Sequence, residues 1–173
     1  MTEEITELME ILRSPFDIRN IKWRVGSTDQ ARKRGLALAY IDARDVMGRL
    51  DQVCGIDGWQ DEYAEVLGRI ICRLSIRMPR TPADPPGLQP TGEWITKCDG
   101  SGDTAIEAEK GGISRAFCRA ASRWGIGRYL YYLPSTWCEL DERGRIKNPP
   151  QLPTWAIPKG VVRALHELSL IHI

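Results

Sequence analysis

Histidine is almost missing from this chain. Of 173 residues only His166 and His172 are histidines, and both lie within the last eight. Imidazole catalysis in the body of the domain is thereby excluded, since no other side chain titrates unperturbed near neutral pH. The five cysteines (Cys54, Cys72, Cys98, Cys118 and Cys138) contain no C-x-x-C pair. That spacing argues against a zinc or dithiol site and for reduced, mostly packed thiols. No apolar run approaches the ~20 residues that span a bilayer. The opening MTEEITELMEILRS is acidic, unlike the positively charged start of a secretory signal. A cytoplasmic location, with no membrane partner, is the expectation. The glycine-rich CDGSGDT lacks the Gly-Lys-Ser/Thr of a phosphate-cradling loop, so neither a nucleotide nor any other cofactor is expected.

Acid is missing over the longest stretch where arginine is dense. The whole chain is nearly neutral, with 24 Lys and Arg against 23 Asp and Glu, yet no acid falls between Glu109 and Glu139. Within that gap SRAFCRAASRWGIGRYLYY carries four arginines, a tryptophan and three tyrosines. On a helical wheel Ile113, Ala116, Phe117, Ala120 and Trp124 share one side, and Arg115, Arg119 and Arg123 form a ridge beside it. Like charges at i, i+4 destabilise an isolated helix by a few tenths of a kcal/mol, and no Asp or Glu stands at the matching positions. An arginine row is ordinarily a solvated face. Here the missing acids, the flanking WGIGRYLYY and the uniform choice of arginine point instead to a polyanion, because the guanidinium fork bonds phosphate bidentately. Gly125 reads either as a helix cap or as a close-approach point. Tyr129, Tyr131 and Tyr132 read either as base-stacking groups or, more commonly at such junctions, as core. Trp59 and Trp124 read as core.

A second basic concentration runs from Arg19 to Arg34, with Asp29 its one acid; the segment from Gly26 through Arg32-Lys33-Arg34-Gly35 reads as a loop. Residues 3–13 have helical spacing and stop at Ser14-Pro15. YIDARDVMGRLDQVCG predicts a helix from about 42 to 54, capped by Asp42 and ended by Gly55. GWQDEYAEVLG and RIICRLSIRMPR switch to a period of two, a β-hairpin whose second strand turns Ile70, Cys72, Leu74, Ile76 and Met78 one way and Arg69, Arg73 and Arg77 the other. The proline-rich 79–91 reads as a surface loop, GEWITKC as a strand, and Thr104 with Glu107 as the capping box of the arginine helix, weakened at Gly111-Gly112. The pattern after Tyr132 is poorly periodic until a last helical stretch from Val161 to Leu168. An α+β fold follows, an antiparallel hairpin and third strand packed on helices. The chain is expected to be a single domain over 1–173, with its core at about 22–133 and a proline-rich extension at 134–173. Asp57, Asp61, Glu62 and Glu65 offer a possible Mg²⁺ cluster, although a solvated strand face explains them more simply.

Two motifs carry a resemblance over roughly residues 22 to 133: Tyr40-Ile41-Asp42 leading to Gly58-Trp59, and the Lys110 to Tyr131 block ending in Gly-Ile-Gly-Arg-Tyr-Leu. In both, the chain resembles the Rad-fifty-two family of single-strand annealing proteins, most of all its phage Sak-type and bacterial DdrA-like members. The resemblance implies a β-β-β-α core that assembles into a ring or helical homo-oligomer, in a bacterial or phage-infected cell. Single-stranded DNA would lie in a basic groove. It implies DNA-backbone roles for Arg24, Lys110 and Arg119 and a groove-wall role for Tyr40; the wheel adds Arg115 and Arg123, and Arg128 of the same block joins them. Family members usually place a lysine or arginine where Cys118 stands here. The implied function is ATP-independent annealing of complementary strands in recombination and double-strand-break repair, without catalysis, and with a single-strand-binding protein as a further partner. A ring that protects DNA ends without annealing is the alternative, and a metal-dependent nuclease using Asp57 and Asp61 a more remote one.

Overall fold

The computed structural model describes residues 3–78, 92–101 and 105–159. They fall into two compact units. The first comprises residues 1–14 and 42–128 and the second 15–41 and 129–173. Among the described residues the architecture is α+β, with two three-stranded antiparallel sheets and three α-helices.

In the first unit, α1 (Glu3–Arg13) and α2 (Ala43–Cys54) accompany β3 (Trp59–Val66), β4 (Arg69–Arg77), β5 (Trp94–Gly100) and α3 (Ala105–Arg123). The β3–β4 hairpin closes on Leu67-Gly68, both with positive φ (51° and 74°), the two-residue turn whose twist matches that of the flanking strands. Cys72, Leu74 and Ile76 of β4 are fully buried, while Arg73 on the opposite face is exposed, so the predicted alternation holds. The sheet runs β3-β4-β5, and α3 lies on β4 and β5. Asp42 precedes α2, its backbone N–H donating to the Asp45 carboxylate at 3.3 Å; Gly55 follows the helix. Arg49 of α2 ties down the end of α1, its Nη1 donating to the carbonyls of Ile11 (2.8 Å) and Ser14 (2.9 Å).

In the second unit β1 (Lys22–Thr28), β2 (Arg34–Tyr40) and β6 (Thr136–Glu139) form a sheet in the order β1-β2-β6. Here the sequence reading needs correction. The segment read as a loop, 26–35, is a turn only at 29–33; its ends belong to β1 and β2, with a register shift between Val25 and Thr28. The alternation of β2 is concealed by small residues, Gly35 and Ala37 at its buried positions and half-buried Ala39 beyond them, where Val or Ile usually stands. The short β6 also falls in a stretch that reads as irregular. The expected loop at 79–91, the capping box at Thr104 and the helix at Val161–Leu168 lie outside the described residues.

Candidate nucleic-acid interface

The arginine ridge of α3 stands on a well-anchored helix. Ala116, Phe117, Ala120, Ala121 and Trp124 are all buried. The Trp124 indole N–H donates to the Leu74 carbonyl at 3.2 Å, and Trp59 packs on Phe117 with ring centroids 5.9 Å apart. Burying each of the larger side chains stabilises by about 1.5–3 kcal/mol, which fixes the helix's rotation and so the direction of its other face. That face presents Arg115, Arg119 and Arg123, all exposed. Ile113, expected on the apolar side, is exposed instead; it directly follows the glycine pair, and α3 departs from helical geometry at Gly111. Lys110 lies on the far side of that break, within the helical span, and its side chain is outside the described part.

The ridge is not wholly without acid. Arg119 places Nη2 3.1 Å and Nε 3.2 Å from one oxygen of Asp99 on β5, an oxygen that also accepts the Gly100 N–H at 2.7 Å. The wheel could not show this, because Asp99 stands 20 residues away and arrives across the sheet. Only two of the five guanidinium N–H groups are directed at that oxygen, and the side chain remains half-exposed. Arg123 has no side-chain hydrogen bond or ion pair among the described residues.

Cations gather where α3 ends. Lys97 sits 4.3 Å from the Trp124 ring centroid and donates to the Arg123 carbonyl at 3.2 Å. Arg128 donates to the carbonyls of Ser122 and Arg123, both at 2.6 Å. These carbonyls form the negative end of the helix, so the cations act as its cap. Burial, followed by the positive charges of Arg128, Arg13 and Arg123, pushes the Lys97 ammonium below its usual pKa. Gly125 turns with φ +100°, and a side chain there would run into Arg13. The cap and the close approach thus coincide at one residue. The sequence did carry a signal for the overlooked Lys97 and Asp99. In GEWITKCDG, Ile95, Lys97 and Asp99 alternate onto one face, and their partners across the ladder are Ile76, Leu74 and Cys72 of the helix-covered side.

The second unit carries its own basic surface. Cross-strand partners share a face of a sheet, so the Lys22–Tyr40 and Arg24–Leu38 pairs put these four side chains on one side. Leu36, Arg34 and their β6 partners Trp137 and Glu139 continue it. Lys22, Arg24, Arg34, Tyr40 and Trp137 are all exposed. Arg24 and Tyr40, nominated on resemblance, are therefore diagonal neighbours, and the same sheet face carries Trp137, which the sequence reading did not single out. Tyr129 is partly buried, and its hydroxyl accepts the Phe16 N–H at 3.0 Å. Tyr131 and Tyr132 are exposed, not core.

The carboxylates proposed for Mg²⁺ are occupied otherwise. Asp57 pairs with Arg77 at 3.0 Å, Asp61 accepts the Tyr63 hydroxyl, and Glu62 faces Arg73 at 3.7 Å. Among the described residues no group of three or more His, Cys, Asp or Glu is placed to hold a metal.

The Rad52/22 family of double-strand break repair proteins matches the chain over residues 4–77 and 87–145, and the chain belongs to that family. It is similar to the single-stranded DNA-binding protein DdrA of Deinococcus radiodurans, 34% identical over 156 residues, which cover 90% of this chain and 70% of the relative. The DdrA of Deinococcus deserti is 35% identical over 156 residues, 90% of this chain and 72% of that protein.

Proposed function

We propose that the chain binds single-stranded DNA by its sugar–phosphate backbone and anneals complementary strands without ATP, in recombination and double-strand-break repair. The observation that carries this reading is the exposed row of Arg115, Arg119 and Arg123 on a helix whose opposite side is buried, in a stretch free of acid. An annealing protein has to hold phosphates and leave base edges free, which calls for guanidinium groups with few base-specific contacts. Arg24, Tyr40 and Lys110 belong to the same proposed set of DNA contacts, and Arg128 adds to it only the guanidinium N–H groups left over from its two carbonyl bonds. Exposed Tyr40, Trp137, Tyr131 and Tyr132 supply faces on which bases of any identity stack. Assembly of copies into a ring or helical array would multiply weak contacts per protomer into avidity. A single-strand-binding protein on the same DNA is the further partner. No catalytic step and no cofactor enters the reading.

Family membership and the single-stranded DNA binding named for the two DdrA relatives support the binding half of this proposal. The single-stranded DNA binding in those names also fits one second reading, a protein that covers exposed strands without pairing them. Labelled complementary oligonucleotides mixed without ATP separate the two. Annealing by the wild type, lost in Arg119→Ala and in the Arg115→Ala/Arg123→Ala double variant, supports the proposal. Tight binding with no gain in annealing rate selects the second reading, and unaltered annealing in both variants removes the ridge from it.

A further inference from the structure

Lys97 stands half-buried on β5, its Nζ 4.3 Å from the ring centroid of buried Trp124 and 3.2 Å from the Arg123 carbonyl. We infer that Lys97 is a carbonyl-capturing amine, which forms a Schiff base with the aldehyde of an abasic site in single-stranded DNA held on the α3 ridge. The inference rests on the DNA-binding reading above.

Three features suit the amine to this chemistry. Its charged neighbours are mostly cations: Arg13, Arg123 and Arg128 all act on it, and Asp99, the next residue on its face of β5, gives Oδ1 to Arg119 and to the Gly100 N–H. The Trp124 ring and the Arg123 carbonyl favour an ammonium. Burial, and then repulsion from Arg128, Arg13 and Arg123, outweigh them and push the Lys97 pKa down. A lysine so placed holds more neutral, nucleophilic amine near neutral pH than one in open water.

The amine is also spare. Arg128 Nη2 donates to the same Arg123 carbonyl at 2.6 Å, and its Nε donates to the Ser122 carbonyl at 2.6 Å. When Lys97 swings away, the end of α3 keeps its donors. Finally, the amine lies beside the ridge. Lys97 and Asp99 project from one face of β5, about 6–7 Å apart along the strand, and Asp99 holds Arg119. Exposed Arg123 stands on the other side, its own carbonyl in contact with Nζ. A DNA strand whose phosphates rest on Arg119 and Arg123 therefore runs past Lys97.

An intact nucleotide offers this amine no electrophile, because C1′ is locked in its bond to the base. Loss of the base frees C1′ as a hemiacetal in equilibrium with an aldehyde, and leaves room where the base had been. Neutral Nζ adds to C1′, the carbonyl oxygen departs as water with the two amine protons, and a C=N bond joins strand to protein. Water reverses the step, and neither oxidant nor reductant is consumed. A damaged strand is thus held until hydrolysis releases it.

Cyanoborohydride reduces the C=N bond to a stable amine and so traps the adduct. Wild type incubated with a single-stranded oligonucleotide bearing an abasic site, then reduced, digested and mapped by mass spectrometry, should carry the adduct on Lys97, a readout that needs no variant to fold. Lys97→Arg keeps a cation at the carbonyl, but a guanidinium stays protonated and forms no Schiff base, so trapping per bound oligonucleotide should fall about tenfold or more. Adducts spread over other lysines such as Lys33 and Lys147, or undiminished trapping in Lys97→Arg, overturn the inference and leave the DNA-binding reading standing. Equal trapping of free deoxyribose phosphate also overturns it, since the ridge would then contribute nothing. Wild type that binds no oligothymidylate overturns both.

Discussion

At the end of α3 in the first unit, Lys97 and Arg128 point into helix carbonyls, and Arg119 leans on Asp99. At the two turns of the second unit, Asp29 and Asp141 point into backbone amides, and Arg32, Lys33 and Arg143 are left facing water. In one place backbone carbonyls absorb cations, and in the other backbone amides absorb anions. The formal charges of the two sequences give little hint of this, because a charged side chain contributes to a surface field according to what its own atoms already touch. Arg128 and Arg123 look equivalent in the sequence, and only the second has its guanidinium uncommitted.

The largest effect that sharpens the contrast is on stability. Trp124→Ala removes a buried indole and its hydrogen bond to the Leu74 carbonyl, so urea denaturation should show a loss of about 3–5 kcal/mol. Trp137→Ala, on the exposed sheet face of the second unit, should stay within about 0.5 kcal/mol. A comparable loss at both tryptophans would mean that the sheet face is covered in solution. Next comes the arginine pair. Arg128→Ala uncaps α3 and should lower stability by about 1–2 kcal/mol. Arg123→Ala should leave stability unchanged and cut the single-strand salt slope by about 0.7. The reverse pattern in thermal melts and binding isotherms would exchange their roles.

How much of this was legible in the sequence depended on the range of the cause. The hairpin at 59–77 and α2 were readable because one face of each is buried, and burial leaves a period in the residues. The α3 ridge was readable for the same reason. The strand β2 was not, since its buried positions hold glycine and alanine, which carry little apolar signal. Asp99 meets Arg119, and Asp141 meets its own turn amides, through contacts that a wheel or a composition count cannot see.

Smaller effects bear on the thiols of the first unit. Burial, with lesser help from nearby carboxylates, pushes Cys54, Cys72 and Cys118 from the usual 9.0 up to about 11. The unfolded chain therefore releases these protons first. Their contribution to stability is complete below about pH 9 and disappears as pH rises through about 11. Chemical denaturation at pH 8 and pH 11 should show that decline, reduced in Cys118→Ala relative to wild type. Exposed Cys98 should react first with a thiol reagent at neutral pH. Smallest of all, Asp99→Asn should cost less than about 1 kcal/mol, since its arginine partner is half in water. A larger loss would make Asp99 a structural anchor of β5.

The first unit is assembled from residues 1–14 together with 42–128, and the stretch between them goes to the second. During translation α1 therefore leaves the ribosome long before α3 exists to complete its unit. A cut at any of the three junctions would strand part of at least one unit on the wrong piece, so neither unit can be expressed intact as a single uninterrupted segment.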